Sequence, residues 1–550
     1  MIIDTIGGMN TSTPTKLLEQ IAQIQRMEPG KLCVIRQGPE GPYYSLQCHE
    51  GGKNRSRYVP RDQAEAVAEH TAKYQEFRTL VDAYAQQIID QTRRERSEGV
   101  KKKELTGPLL LAQSEEIQAL IDRFTAAPAT GETVQDVEGL IRTAIFKPAT
   151  ALVGFLLQTA AQRIEAAYRP LPGESRKGLV ELQVQCLFGT FPLQRQYYYH
   201  SGKKCGHYPA DEGLGLEVGY TPALARLMSL EGAKGIYEEA QLHLREAGGI
   251  EVEARQIHRV VDRIGPMAHR WQQEREFPPH EEPAPIMYVS ADGTGIPMRT
   301  SELIGRKGKQ PDGSAKTRQV YLGCVFTQHG RDEKGHPVRD YHSTSYLSHL
   351  GPIDEFAPML RREALRRGMG NATHVVFLVD GAEGLECMGR DYFLGCTQIV
   401  DFYHAMEHAS HVLVAWLGSK EHPDFKARLH QWAKRLLKNG VNKLVTDARL
   451  ESSGSSKAAA VEEALGYFIR NAPRMQYRTF RKAGFFIGSG VVEAGCKTVI
   501  GSRCKQSGMH WGVPGAQHVL ALRCINASGR LADFWKYRLN SRAAHLPRAA

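Results

Sequence analysis

The 550-residue sequence has no long uninterrupted apolar run. The longest, Ala149 to Ala161, is broken by Thr, Gly and Gln. It falls short of the roughly 20 residues that a bilayer-spanning helix needs, so no membrane association is expected. Asp4 and the Gly7-Gly8 pair interrupt the N-terminal stretch, and no signal peptide is expected. The ten cysteines run from Cys33 to Cys524 without regular spacing. That excludes a disulfide scaffold and points to reduced thiols in a cytoplasm. No convincing nucleophile motif is present, and Tyr403 lacks the Arg-His-Arg set that a tyrosine recombinase needs. What is present is an ordinary globular composition, 41% hydrophobic and 24% charged, on a chain long enough for three or four domains.

Acid is scarce at one end. From Arg481 to Ala550 eleven basic residues face only Glu493 and Asp533, so nine of the eleven net positive charges sit in the last 70 residues. Lys426 to Lys438 is a second acid-free stretch, with Lys434, Arg435 and Lys438 at its end. Clustered positive charge of this kind suits a polyanion.

Along the chain, residues 30–100 read as a small β-hairpin (42–59, turning at Gly51-Gly52-Lys53) plus a long helix from Pro60 to about Arg96. Arg93 to Lys103 reads as a linker. Residues 101–170 form a helical region, with helices over 114–126 and 133–166. Residues 175–216 are strand-rich and carry His200-x4-Cys205-x-His207, a degenerate knuckle. Zinc needs about four ligands, so a metal-free turn is expected there. Residues 217–275 read as three helices, the third over Ala254 to Ile264 with Arg255, His258, Arg259 and Arg263 outward. A glycine turn before a basic helix fits a helix-turn-helix, with Arg255 and Arg259 as DNA contacts.

From residue 284 the order of elements carries more. A strand over 286–291 ends at Asp292-Gly293, and a basic loop comes next (Arg306, Lys307, Lys309, Lys316, Arg318). Strands over 320–327 and 338–346, a helix over 353–367 and an apolar strand over 374–379 lead to Asp380-Gly381. Another strand, Thr397 to Val400, ends at Asp401. Three strands joined by turns, then helix, strand, helix, strand, build a mixed sheet in which the fourth strand can lie beside the first. Asp292 and Asp380 then become neighbours. An Asp-Gly after a strand is ordinarily a turn, but two such carboxylates in one cleft repel unless a cation lies between them. Mg²⁺ is the expected ion, with Mn²⁺ as a substitute and zinc not expected. A mostly helical stretch (402–487) precedes Gly488-Ser-Gly490-Val-Val-Glu493, and Lys497 lies four residues on. Glu493 is the only acid among the basic residues from Arg481 to Arg530, which suggests a third ligand.

At these residues the sequence resembles the DDE transposases of the ISKra type among bacterial insertion sequences, relatives in outline of the Mutator and hAT groups. The matching strings are VSADGTGIP around Asp292, QVYLGCVF at 319–326, VVFLVDGAEGL around Asp380, DFYHAMEH at 401–408 and GSGVVEAGCKTVIGSRCKQSGMHWG around Glu493. GHYPADEGLGL at 206–216 is similar too, and residues 42–95 resemble a module often found upstream. The resemblance implies an α/β, RNase H-like catalytic domain (284–401 and 488–535) interrupted by a helical insertion (402–487). It implies Asp292, Asp380 and Glu493 as catalytic, Mg²⁺-binding acids, with Asp401 and His404 as active-site support. Arg255, Arg259, Lys434, Arg435, Lys438, Lys497, Arg503 and Lys505 are the candidate DNA contacts. Two departures stand out: Glu383-Gly384 replace a Trp usual after the DGA string, and only Cys205 remains of the knuckle's cysteine pair.

The expected activity is metal-dependent strand cleavage at insertion-sequence ends and strand transfer into target DNA. The expected partners are double-stranded DNA, as terminal repeats and target, and further copies of the chain on that DNA. The expected setting is a bacterial cytoplasm, at the nucleoid when DNA-bound. Alternatives are a domesticated, non-catalytic DNA-binding protein and a structure-selective nuclease of the same fold.

Overall fold

The computed structural model describes residues 14–97, 131–275, 284–308 and 310–544. Contacts divide the chain into two units, 1–106 and 107–550. In the first, helix α1 (Pro14–Ala22) precedes an antiparallel meander of β1 (Lys31–Gly38), β2 (Gly41–Glu50) and β3 (Lys53–Val59), followed by α2 (Arg61–Ser97). Leu46 and Val59 of the sheet close over Ala64 and Val67 of α2. The expected hairpin is therefore the last two strands of three. Its missing edge strand shows no alternation to read, because consecutive Val34 and Ile35 are both exposed. Helix α2 runs through Ser97, so no linker begins at Arg93. The helix expected over 114–126 lies outside the described residues, as do residues 98–103.

Among the described residues of the second unit, α3 (Gly131–Ala167) comes first and lies on a long hairpin of β4 (Glu174–Gln185) and β5 (Thr190–His200), extended by β6 (Cys205–His207). Gly154 leaves room for the Phe191 ring, and Gln158 both donates to and accepts from the Gln194 backbone. Contrary to the reading that no segment is long enough, Glu138–Ala167 is long and apolar enough to cross a membrane. Leu140, Ile141, Ile145 and Phe146 extend the broken run upstream, and only 11% of the apolar window is buried. In the knuckle, His207 Nε2 lies 3.0 Å from the Tyr168 hydroxyl, which donates to Glu174 at 2.6 Å.

Helix α4 (Pro209–Gly213) leads to α5 (Pro222–Lys234), α6 (Tyr237–Gly248) and α7 (Ala254–Glu274). Glu253 and Gln256 close a capping box at the start of α7. This helix continues ten residues beyond the expected Ile264, through Pro266, because Ala268 and Trp271 extend its buried face.

Next come β7 (Ile286–Pro297), β8 (Thr317–Arg331), β9 (Pro337–Arg339), β10 (Ser345–His349), α8 (Ile353–Arg366), β11 (His374–Val379), α9 (Glu383–Tyr392) and β12 (Thr397–Val400). The sheet order is β10-β8-β7-β11-β12, with β9 paired to β8. β10, β8 and β7 run antiparallel, while β7, β11 and β12 run parallel. The fourth long strand lies beside the first, as the element order requires, and the class is mixed α/β. Two details differ. The strand expected over 338–346 splits into β9 and β10 around a turn at Tyr341–Ser343. β7 does not stop at Asp292 but runs six residues past Ala291, pairing with β8 as a two-stranded arm. Gly293 and Gly295 make that arm fit: a Cβ on either would collide with Gln319 Nε2 or lie 2.8 Å from Thr317 Oγ1.

Helices α10 (Phe402–Leu417), α11 (Phe425–Leu436), α12 (Val441–Ser452), α13 (Ala458–Asn471) and α14 (Tyr477–Lys482) fill the interval before α15 (Gly490–Gly495). A π-helical turn, Cys496–Gly501, continues α15, and α16 (Val513–Ala527) and α17 (Leu531–Ala544) come after it. One face of the sheet buries Tyr288, Leu322 and Leu378 with Val412, Trp432 and Phe468 of these helices. The other buries Val289, Val325 and Phe377 with Phe356, Leu360 and Leu385 of α8 and α9. Helices α7 and α16 cross so closely that a Cβ on Gly265 would collide with His518 Cβ and stand 2.8 Å from its Cα. The neighbour is backbone and cannot swing aside. Gly265→Ala is expected to cost about 1–3 kcal/mol, despite alanine's better helix propensity, and urea denaturation followed by circular dichroism checks it.

Candidate active site

Three adjacent strands bring carboxylates to one height. Leu378 of β11 pairs with Ser290 of β7, so Asp380 comes to the height of Asp292 two residues later. Val379 pairs with Val400 of β12, and the Asp401 N–H donates to the Val379 carbonyl at 2.8 Å. Parallel pairing thus aligns Asp292, Asp380 and Asp401 across adjacent strands. Each has a different local role. Asp292 lies inside β7, where the turn reading of Asp-Gly fails. Asp380 does form a turn: its Oδ1 accepts from Ala382 N–H at 2.8 Å, with Gly381 at φ +81°. Asp401 caps α10 by accepting the His404 N–H at 2.7 Å.

Glu493 arrives from α15. Ser489 Oγ donates to its carboxylate at 2.7 Å, and the Ser489 N–H donates to Asp401, which ties α15 to β12. The ligand atoms of Asp401, His404 and Glu493 lie within 4.8 Å of one another, close enough to hold a metal ion. The expected three acids are not that group: Asp401 and His404, read as supports, take two of its places. Asp292 and Asp380 are nonetheless electrically joined to it. Burial raises the Asp292 carboxyl above its usual range, and the Asp380 charge raises it further, while a hydrogen bond from Cys496 and the nearby His404 charge oppose the rise. Cys496 is three residues beyond Glu493, so Asp292 reaches the helix that carries the fourth acid.

Asp401 is fully buried. Burial alone would raise its carboxyl, but hydrogen bonds from His404 and Ser489 hold it below the usual range. His404 Nδ1 lies 3.4 Å from Asp401 Oδ1. That contact, against the opposing effect of burial and with help from the Asp380 and Glu407 charges, raises the imidazole to about 9. A helix N-terminus disfavours a cation, so the carboxylates are what keep His404 charged. That shift favours the charged ring, which offsets part of the charge of the neighbouring acids. Two further residues escaped sequence reasoning. Tyr467, from α13, donates its hydroxyl to the Asp380 carbonyl at 2.7 Å and stacks on His408 at 3.5 Å between ring centroids. Cys496, held as a thiol by burial and by the Asp292 charge, is the other. Neither belongs to a local pattern, since each meets its partner only through the tertiary fold.

The basic residues divide. Arg255, Arg259, Lys434, Lys438, Lys497 and Lys505 reach solvent, and Lys505 donates to Thr294 on the β7 arm. Arg435 pairs with Asp447 at 2.5 Å. Arg503 is a correction: at 1% exposure it lies between the Tyr237 and Trp511 rings, where a DNA backbone cannot reach it. In the tail, Arg530 pairs with Glu363, Arg538 with Glu217, and Arg523 donates to the carbonyls of Val499 and Ala233. Much of the C-terminal charge therefore holds the fold together instead of facing solvent. The basic loop after β7 places Arg306, Lys307, Lys316 and Arg318 around an open cleft of about 980 Å³. Lys309 lies outside the described residues.

A family model described as "Domain of unknown function (DUF6788)" matches residues 13–69. It begins before the expected module at 30–100 and includes α1. No curated protein matches the chain. Among solved structures, the chain is similar to one in the Drosophila P element transposase strand transfer complex, at 11% identity and a TM-score of 0.20, covering 60% of this chain and 83% of that one.

Proposed function

We propose that the chain is a DDE-type DNA transposase with an RNase H-like catalytic domain, cleaving strands at the ends of an insertion sequence and joining them to target DNA. The observation that carries this reading is the row of carboxylates. Asp292, Asp380 and Asp401 stand at one height on β7, β11 and β12, Glu493 is tied in from α15, and the 3-2-1-4-5 order of long strands produces the alignment.

The residues fit a hard divalent cation. Burial of Asp292 beside Asp380 raises its carboxyl, a strain that a cation relieves, and carboxylate oxygens are the donors Mg²⁺ prefers. In this reading Asp292, Asp380 and Glu493 would hold it, with Mn²⁺ as a substitute, although the ligand atoms that lie within 4.8 Å of one another are those of Asp401, His404 and Glu493. Bound there, the ion would supply Lewis-acid stabilisation of the attacking and leaving oxygens of a phosphodiester. The chain's own groups do the rest. Asp401 fixes the start of α10 and orients His404, whose positive ring offsets the clustered charge. Lys505 steadies the β7 arm beside Asp292 through Thr294, and Lys497 projects from the turn after Glu493. To test the reading, end-labelled duplexes carrying both flanks of the coding DNA are incubated with the protein and MgCl₂ or MnCl₂. New 3′ ends at the flanks are expected, and intact strands with both metals would overturn it.

Lys434 and Lys438 are expected to contact phosphate, whereas Asp447 already balances Arg435. Each phosphate contact adds about −0.9 to the slope of log affinity against log salt. Replacing both lysines by Ala should flatten the slope by about two units on any duplex, and Arg435→Ala should change it far less. A salt titration by fluorescence anisotropy compares them.

A further inference from the structure

The cleft of about 980 Å³ beside the basic loop after β7 stands apart from the carboxylates. Side chains alternate along a strand, so Asp292 and Thr294 share one face of the β7–β8 arm, where they meet Cys496 and Lys505. Gly293 and Gly295 open to the other face, against Gln319 and Thr317. Gly295, Thr317 and Gln319 line the cleft, which therefore lies on the reverse of the arm from Asp292.

The lining has charge of one sign. Arg306, Lys307, Lys316 and Arg318 contribute to it, and no carboxylate does among the described residues. Three acids stand near without entering the lining. Glu302 accepts the Val513 N–H at 3.1 Å and lies 3.7 Å from Arg318 Nη1. Asp312 accepts the N–H and the hydroxyl of Ser314, at 2.9 and 2.7 Å. Asp354, in the first turn of α8, adds to the rise that burial causes in the Tyr321 hydroxyl. Tyr321 is the one ring among the described lining residues, and it is stacked on Phe356. The cleft thus offers cations and no free platform for a base.

Backbone pairing holds these cations together. Lys307 bridges to Ser314, the Ala315 N–H donates to the Arg306 carbonyl at 3.2 Å, and the Gly308 N–H donates to the Gly313 carbonyl at 2.9 Å. The two backbones approach so closely that a Cβ on Gly308 would collide with Ala315. Burial, and next the charge of Arg306, weaken the hold of Arg318 on its proton, with Glu302 opposing. Like charges fixed around a concavity raise the local potential and favour an anion between them. Four cations spread along an open cleft are more than one phosphate needs and suit a row of them.

We propose that this cleft grips the backbone of double-stranded DNA away from the phosphodiester to be cut, with successive phosphates toward Arg306, Lys307 and Lys316. The proposal rests on the DNA-processing function above and adds a second point of contact to it, on the reverse face of the arm.

The full chain is compared with a variant carrying Arg306→Ala, Lys307→Ala and Lys316→Ala, three exposed side chains. A second variant, Arg306→Lys, Lys307→Arg and Lys316→Arg, keeps the charges. Salt titrations by fluorescence anisotropy use a duplex from the coding DNA's flank and a scrambled one, and single-turnover cleavage is read at saturating protein. The alanine variant should flatten the slope of log affinity against log salt by about two to three units on both duplexes. Its cleavage rate once saturated should stay within about twofold of wild type, and the charge-keeping variant should keep the wild-type slope. A wild-type slope in the alanine variant, or a slope lost equally in both variants, would overturn the proposal. So would tripolyphosphate that binds the wild type by calorimetry and not the alanine variant while the DNA slope is unchanged, since the cleft would then be a small-anion site. A wild-type protein that binds and cuts DNA with an unaffected alanine variant sinks the cleft alone. One that binds DNA through the cleft and cuts with neither Mg²⁺ nor Mn²⁺ sinks the transposase reading alone, and one that binds no duplex sinks both.

Discussion

Asp380→Asn is expected to reduce strand cleavage by about a thousandfold or more while leaving affinity for duplex DNA within about twofold. The substitution exchanges one carboxylate oxygen for an amide and keeps the shape. Oδ1 still accepts the Ala382 N–H, so the turn after β11 survives, and the Asp380 carbonyl still receives the Tyr467 hydroxyl. What disappears is a formal negative charge beside Asp292 and His404. Losing one ligand of a phosphodiester-cleaving metal site costs several kcal/mol of transition-state stabilisation, and each ~1.4 kcal/mol is about tenfold in rate. The lysines proposed to contact phosphate lie on other elements, so binding is expected to persist. Single-turnover cleavage and anisotropy on the same duplex separate the two effects. A variant that cuts at the wild-type rate would remove Asp380 from the site.

Arg538→Ala is expected to be the most destabilising single change in the basic tail, by about 3–5 kcal/mol. Arg538 and Glu217 are both nearly inaccessible and joined side chain to side chain, and the guanidinium also lies over the Trp535 ring at 5.1 Å. Removing only the arginine leaves the Glu217 carboxylate buried without that partner, which is the expensive way to break such a pair. The double variant Glu217→Gln, Arg538→Met should recover much of the loss, because neither charge then remains. Urea denaturation of the three proteins distinguishes the two outcomes, and equal losses in single and double variants would show that packing, not charge, is at stake.

That pair also shows where sequence reasoning stops. Counting along the chain found eleven basic residues against two acids from Arg481 onward. It could not find Glu217 and Glu363, which lie 321 and 167 residues before Arg538 and Arg530, or Asp447, which lies on the helix after Arg435; all three meet their partners only after folding. Local charge is legible, but its partners are not. The sheet was more transparent. β11 is a bare apolar run between turn residues and matches its expected bounds, and strand adjacency followed from the order of elements. β7 was cut short because glycines at 293 and 295 look like a turn, when they instead make room for Gln319 and Thr317. The site was half legible. Each acid could be named from its position after an apolar run or within a glycine-rich string. Which of them converge on one point depends on register and on Ser489 bridging α15 to Asp401, and no linear pattern encodes that.

The π-helical turn just after Glu493 has a consequence for the chain's tolerance of length changes. Cys496–Gly501 winds more widely than α15 before it and the Ser502–Cys504 turn after it. An α-helix advances about 100° per residue, and a widened i→i+5 turn takes up about one residue more for nearly the same sweep, so the segments on its two sides keep their bearings despite the extra residue. Before the turn Glu493 lies beside Asp401 and His404, and after it Arg503 is buried against the Tyr237 and Trp511 rings. Deleting one residue between 497 and 501 is expected to relax the turn to ordinary α-helix with both side chains held, whereas the same deletion from an unbroken α-helix would rotate them apart by about 100°. This short segment therefore buffers the spacing between two chemically separate surfaces.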